Sequence, residues 1–137
     1  ESCGRKQRAG MVNYDNDPAN GAKYGKLYNW YAVIDSRGLA PAGYHIPTNA
    51  EWTVLTNYLD GEDVAGKKMK STSGWSQNRN GTDSSGFSGL PGGGRDYNGA
   101  FFTIGESGYW WSSSEYNTTQ AWGRGLVNLF GNVARGT

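Results

Sequence analysis

Leu27, Trp30, Tyr31 and Ile34 recur at i, i+3, i+4 and i+7, so the segment from Tyr24 to Asp35 carries one apolar stripe and predicts a helix. Arg37-Gly38 beyond it supplies a cation for the last turn and a glycine suited to the left-handed position after a helix. A second helix, over residues 48–60, has a clearer start. Thr48-Asn49-Ala50-Glu51 is a capping box, Trp52, Leu55 and Leu59 share a face, Pro47 fixes an extended entry and Asp60-Gly61 stops the turn. Residues 1–22 are polar and predict an irregular lead-in, with Arg5, Lys6 and Arg8 as solvated charge. After Lys67, Lys68 and Lys70, the Ser/Gly/Asn/Thr-rich stretch 71–86 offers only Trp75 as an anchor. From Gly86 the pattern shortens to strand-sized runs: 86–91, 109–114, 121–130 and 132–135, punctuated by glycine and asparagine. Helices first and short strands later predict an α+β fold, with the helices packed on one side of a twisted sheet.

At 137 residues the chain is sized for one domain. Hydrophobic residues make up only 36%, yet there are 6 Trp, 9 Tyr and 4 Phe, so the core is expected to be aromatic and the chain ordered. The 13 Lys+Arg against 12 Asp+Glu give no electrostatic reason to expect a nucleic-acid partner. No run approaches the roughly 18 apolar residues of a membrane span, which predicts no membrane insertion. No basic segment followed by an apolar one opens the chain, so any secretion signal is expected to have been removed. Cys3 is single and predicts no intrachain disulfide and no cysteine-based metal site, and the single His45 excludes a two-histidine zinc arrangement.

Candidate chemistry is sparse. Gly92-Gly93-Gly94 lacks the Gly-Lys-Ser/Thr that a phosphate loop needs, so turn glycines account for it. Asp15-Asn16-Asp17 alternates oxygens as calcium loops do, without their glycine or terminal glutamate. Ser112, Ser113 and Ser114 with His45 lack a nucleophile elbow, and Glu106 and Glu115 are separated by an unknown loop. No cofactor, metal or catalytic residue is therefore expected. The aromatics remain: Trp30, Trp52, Trp110 and Trp111 sit in apolar patterns and are expected in the core. Trp122, Tyr116, Tyr97 and Phe130 lie among Gly, Ser and Asn, a mixture that suits recognition surfaces as well as ordinary strand edges.

Three passages resemble a known family: Tyr24 to Val33, Ala42 to Trp52, and Gly86 to Gly93 running on to Gly108–Ser114. Over about residues 14–136 the chain resembles the Fibrobacter succinogenes major paralogous domain, a bacterial surface family similar to the C-type-lectin-like fold and related to formylglycine-generating enzymes. The resemblance implies two helices flanking a small twisted antiparallel sheet with a long irregular excursion. The first dozen residues lie outside it. Arg135-Gly136-Thr137 stands where relatives end in a Phe-Ser-Val-Arg-Cys-like strand, and Ala40 stands where a cysteine is common, so the usual disulfide is expected to be missing. The catalytic cysteines of formylglycine-generating relatives have no counterpart, and the Glu-Pro-Asn and Trp-Asn-Asp signatures of calcium-dependent lectins are absent.

Variable proteins diversified by retroelements resemble this fold and place variable residues in its C-terminal part. Here Trp110–Ser113, Ala121-Trp122, Arg124, Leu126, Asn132-Val133 and Arg135 match the framework, while Gly123, Gly125, Val127, Leu129 and Phe130 stand where relatives often carry Tyr, Asp or Ser. The resemblance therefore implies a non-enzymatic, secreted or surface-displayed recognition domain that binds a protein or an extended cell-surface polymer. Its face would comprise Tyr116, Asn117, Gln120, Gly123, Gly125, Val127, Asn128, Leu129 and Phe130, bordered by Asp96, Asn98 and Glu106, all pointing away from the core. A carbohydrate-binding adhesin stacking sugars on Trp122 and Tyr116, and a degenerate relative of formylglycine-generating enzymes, are the alternatives.

Overall fold

Thr48 and Glu51 close the capping box as expected: Thr48 Oγ1 accepts from the Glu51 amide at 3.1 Å, and Glu51 Oε2 accepts from the Thr48 amide at 2.7 Å. This is one of the local features in the computed structural model, which describes residues 8–137. The helix it starts, Asn49–Tyr58, ends where Asp60 and Gly61 turn to positive φ and the Gly61 amide returns to the Thr56 carbonyl at 2.8 Å. A further helix, Glu62–Met69, follows at once, where the sequence reading had only a polar approach to a loop. Its acidic first turn (Glu62, Asp63) and basic last turn (Lys67, Lys68) complement the helix dipole. Its buried face is Ala65, Gly66 and Met69, too small to show as an apolar stripe. A Cβ at Gly66 would lie 2.2 Å from the Asn132 carbonyl oxygen, so glycine there lets the C-terminal loop rest directly on the helix.

The helix expected from Tyr24 to Asp35 is not formed as one piece. Asp17 caps a first helix, Pro18–Tyr24, with Pro18 in the first turn, inside the segment read as an irregular lead-in. Gly25 ends it at φ 80, and Leu27–Tyr28 then pairs with Met11–Val12 as a small strand pair. Only Trp30–Val33 is helical, because Asn29 Oδ1 accepts from the Ala32 amide at 3.0 Å and starts a new turn there. The stripe at 27, 30, 31 and 34 thus divides between a strand and one helical turn. The run 86–91 is likewise irregular and forms no strand; it is tied down by a bridge between Lys70 and Gly89 and by the Gly105 amide donating to the Pro91 carbonyl at 2.8 Å. We number the helices α1 (Pro18–Tyr24), α2 (Trp30–Val33), α3 (Asn49–Tyr58) and α4 (Glu62–Met69). The strands are β1 (Met11–Val12), β2 (Leu27–Tyr28), β3 (Gly94–Arg95), β4 (Phe101–Phe102), β5 (Ser107–Asn117), β6 (Gln120–Val127) and β7 (Ala134–Gly136).

The architecture is α+β. β5, β6 and β7 form an antiparallel sheet in that order, beside the two-stranded pairs β1–β2 and β3–β4. α3 and α4 cover one face of the sheet, and the core between them is Trp52, Leu59, Ala65, Met69, Trp75, Leu126 and Val133. Phe87 stands edge-on to both Trp52 and Trp110, at 5.8 and 5.3 Å between centroids. Trp75 anchors the loop 71–86 as expected: it is 3% exposed, and its indole N–H donates to the Gly89 carbonyl at 3.2 Å. Of the quartet expected in the core only Trp52 is fully buried; Trp30 and Trp110 are half-buried, and the largest departure is Trp111. It is 36% exposed, because its place in β5 puts it on the opposite face of the sheet from Trp110.

Two outcomes follow from this packing. Trp52→Ala should cost about 3–5 kcal/mol and Trp111→Ala clearly less, whereas Tyr58→Ala, on an 84% exposed side chain, should stay within about 0.5 kcal/mol in denaturant titrations. Glu51 is held below the ordinary carboxylate value by the Thr48 amide first and by His45 second. A lowered folded pKa means that its contribution is present above the unfolded value of about 4.3 and lost as pH falls below it. Glu51→Gln should therefore lower the melting temperature at pH 7 and flatten its fall in acid.

Candidate binding surface

Register decides what each side of the sheet presents. Trp110 lies opposite Arg124 and Gly108 opposite Leu126 on the helix side, while Tyr109 lies opposite Gly125 and Trp111 opposite Gly123 on the outer side. β7 extends these rows: Ala134 pairs with Gly125 and Gly136 with Gly123. The outer side is thus two aromatic rings beside a floor of glycine and alanine. The rings are held in place. A Cβ at Gly125 would meet the Tyr109 ring at 3.4 Å, and Phe102 packs on Tyr109 at 5.8 Å. The Trp111 indole donates to the Tyr28 carbonyl at 2.7 Å and packs on Trp30 at 5.9 Å.

The residues expected to form one face fall into separate groups. Tyr116, Asn117 and Gln120 lie at the β5–β6 turn, whereas Glu106, Val127, Asn128, Leu129 and Phe130 lie at the other end of the same hairpin. With about 3.3 Å per residue, the two groups are about 30 Å apart. Asn117 and Gln120 build the turn itself: Asn117 Oδ1 accepts from the amides of Thr119 and Gln120, each at 2.9 Å, and Asn117 Nδ2 donates to Gln120 Oε1 at 2.7 Å. Asp96 and Asn98 shape the β3–β4 turn, where Asp96 Oδ1 accepts from the amides of Asn98 and Ala100 at 3.1 and 2.9 Å. Two positions do not point away from the protein. Asn128 is 7% exposed, and Gly125 is buried beneath Tyr109. Leu129 and Phe130 are more than half exposed, and Gly123 and Val127 are partly so.

Asn128 is inward because a buried lysine gathers its loop. Lys70 is 3% exposed and its Nζ donates to the carbonyls of Val127 and Phe130, each at 2.7 Å, while resting 5.1 Å from the Trp75 ring centroid. Burial first, and the Arg79 charge second, push its amine below the ordinary lysine value. Arg124, 2% exposed, ties β6 to α3 in a similar way. It donates to Asn49 Oδ1 and the Gly123 carbonyl at 3.0 and 3.1 Å, and to the Asn49 carbonyl and Thr53 Oγ1, each at 3.3 Å. Burial lowers its pKa, and Glu62 opposes that shift. Arg124 was expected only as a framework position and Lys70 only as one of a lysine run; the buried donor role of neither is visible in the sequence.

The remaining candidates have structural partners. Asp17 caps α1 through the Ala19 amide at 2.8 Å, and Asp15 and Asn16 sit in left-handed conformations. Ser112 Oγ accepts from the Ser114 amide, Ser114 Oγ accepts from the Asn49 amide, and the Ser113 amide donates to the Pro47 carbonyl. His45 Nε2 pairs with the Glu51 carboxylate at 2.7 Å. Tyr44 and His45 separate two open clefts of about 390 and 330 Å³, the larger lined by Trp52, Leu55 and Phe87. Trp122 has the Arg135 guanidinium over its ring at 4.0 Å and Tyr116 edge-on at 4.9 Å, so the ring that the sugar-stacking alternative needs is covered. Cys3, Arg5 and Lys6 lie outside the described residues. Tyr109 and Trp111 are the surface residues that sequence reasoning missed. Their signal was the alternation of glycine at 123 and 125 facing aromatics at 109 and 111.

A search of family models gives the class. The model of the Fibrobacter succinogenes major domain matches residues 3–135, and the chain belongs to that family. The match begins at residue 3, well before residue 14, so residues 3–13, expected to lie outside the resemblance, fall within the family domain. No curated protein and no solved structure matches the chain.

Lys70→Met would keep the apolar stem and leave the carbonyls of Val127 and Phe130 without their donor. It should cost about 2–4 kcal/mol, with faster amide hydrogen exchange concentrated in 127–133. A uniform rise in exchange across the sheet would contradict the loop-holding role.

Proposed function

We propose that the protein is a non-enzymatic recognition domain of C-type-lectin-like architecture, displayed outside the cell, that binds a macromolecular partner on the outer face of its β5–β6–β7 sheet. The observation that carries the reading is that face itself. α3 and α4 cover only one side of the sheet, and on the other side Tyr109 remains 49% and Trp111 36% exposed. Aromatic side chains fixed by neighbours give contact area at little further entropic cost, which is what a recognition surface needs. Among the described residues, no helix is long and apolar enough to cross a membrane. Diversification by a retroelement belongs to the same reading, with Gly123, Val127, Leu129 and Phe130 as its accessible positions. A reverse-transcriptase gene and a near-copy of the 3′ coding region beside this gene are the genomic signature it requires.

Biolayer interferometry of the immobilised domain against purified surface proteins and cell-wall polymers tests the recognition reading. A partner should be held with the same Kd in EDTA and released by Tyr109→Ala. Binding that vanishes in EDTA and returns with calcium would contradict it, as would binding indifferent to Tyr109→Ala.

A further inference from the structure

Where all three strands pair, the outer-face positions are Tyr109 and Trp111 in β5, Gly125 and Gly123 in β6, and Ala134 and Gly136 in β7. None of them carries a charge. The cations of β6 and β7 turn the other way: Arg124 is buried against α3, and Arg135 donates to Asn49 Oδ1 at 3.2 Å while covering Trp122. A ligand of this face therefore gains nothing from being charged, and an acidic or basic polymer would lose hydration without an ionic partner.

Size narrows the ligand further. Three paired residues along each of three strands span on the order of 150 Å², given about 3.3 Å per residue and about 4.8 Å between strands. A standard protein interface needs about 800 Å² per partner and a central anchor seated in a pocket, whereas this face has no pocket at its centre, where the Tyr109 ring lies over Gly125. A flat apolar patch of this size matches a ring or two of a flexible chain. Tyr109 and Trp111 are two residues apart on one strand, about 7 Å, with their rings already braced by Phe102 and Trp30.

Polar groups stand where a hydroxylated chain would use them. β7 is the outer strand of the sheet, so alternate N–H and C=O groups of Ala134–Gly136 point away from β6. Among the described residues the Tyr109 hydroxyl has no hydrogen-bond partner, which leaves it for a ligand.

We propose that this face binds a neutral polysaccharide, with the carbon faces of its sugar rings stacked on Tyr109 and Trp111 and its hydroxyls bonded along the open edge of β7. The inference rests on the recognition reading and names its ligand class. The stacking rings are Tyr109 and Trp111 rather than Trp122 and Tyr116, and no divalent cation takes part.

Native gel electrophoresis through a panel of neutral polysaccharides (glucans, mannans, xylans and galactans), with polygalacturonate as the acidic comparison, tests it. At least one neutral polymer should retard the wild-type domain, with no retardation by polygalacturonate. Tyr109→Ala should weaken that binding at least tenfold. Gly136→Leu should do the same without disturbing either ring, since a Cβ at Gly136 meets nothing within 4 Å and its side chain would stand on the floor beside Gly123. Tyr58→Ala, on the exposed side of α3, should change nothing. Free migration through every neutral polymer overturns the inference, as does retardation that survives Gly136→Leu. If a protein partner found by interferometry is lost in both face variants while no polysaccharide binds, the recognition face stands and the glycan assignment falls. If no partner of either class is held, both fall.

Discussion

An irregular chain packed against a core leaves carbonyl groups that must find donors inside the protein, and this fold depends on long side chains to supply them. Indole N–H groups of Trp52, Trp75 and Trp111 donate to the carbonyls of Trp111, Gly89 and Tyr28. Lys70 and Arg124 do the same for the 127–130 loop and for the N-terminal turn of α3. Each of these side chains has an apolar body that packs and a polar end that donates, so one residue fills space and satisfies backbone together. A chain with only 36% hydrophobic residues and so much loop has few other ways to stay dry and paired. The tryptophan content is therefore first a consequence of loop-rich architecture, and only at Trp111 does it also become surface.

The same economy separates the two faces of the sheet. The helix side takes the large side chains Trp110, Arg124 and Leu126, and it needs α3 and α4 to cover them. The outer side is left with glycines, which permit Tyr109 to lie flat on the strand and keep the floor shallow. Lys70 then fixes where the chain leaves β6, which turns Asn128 inward and leaves Leu129 and Phe130 outward. Position in the ladder, rather than residue type, decides which aromatics bind core and which meet solvent.

How much of this was legible follows from how local each signal is. The capping box at Thr48–Glu51 and the anchor role of Trp75 were readable because each rests on a few neighbouring residues. The strand-rich C-terminal half and the α+β class were readable from the change in period. The helix from Tyr24 to Asp35 was misread because an apolar stripe does not reveal that Asn29 caps a new turn and that β2 finds a partner in β1. α4 was missed because Ala65 and Gly66 bury a face without looking apolar. The candidate face was misassembled for a different reason. Tyr116 and Phe130 sit near each other in sequence terms but lie at opposite ends of an extended hairpin, and sequence spacing alone cannot say that β5 and β6 run their full length.

The proposed recognition falls on the outer sheet face rather than on the hairpin tip, the 127–130 loop or the clefts beside His45. Amide and indole chemical-shift mapping of the labelled domain, titrated with a soluble neutral oligosaccharide cut from whichever polysaccharide retards it, measures this directly. The predicted result is a set of perturbations confined to the amides of Tyr109, Gly123, Gly125 and Gly136 and the indole N–H of Trp111. Perturbations centred on Asn117–Gln120, on Leu129 and Phe130, or on Tyr44 and His45 would contradict it.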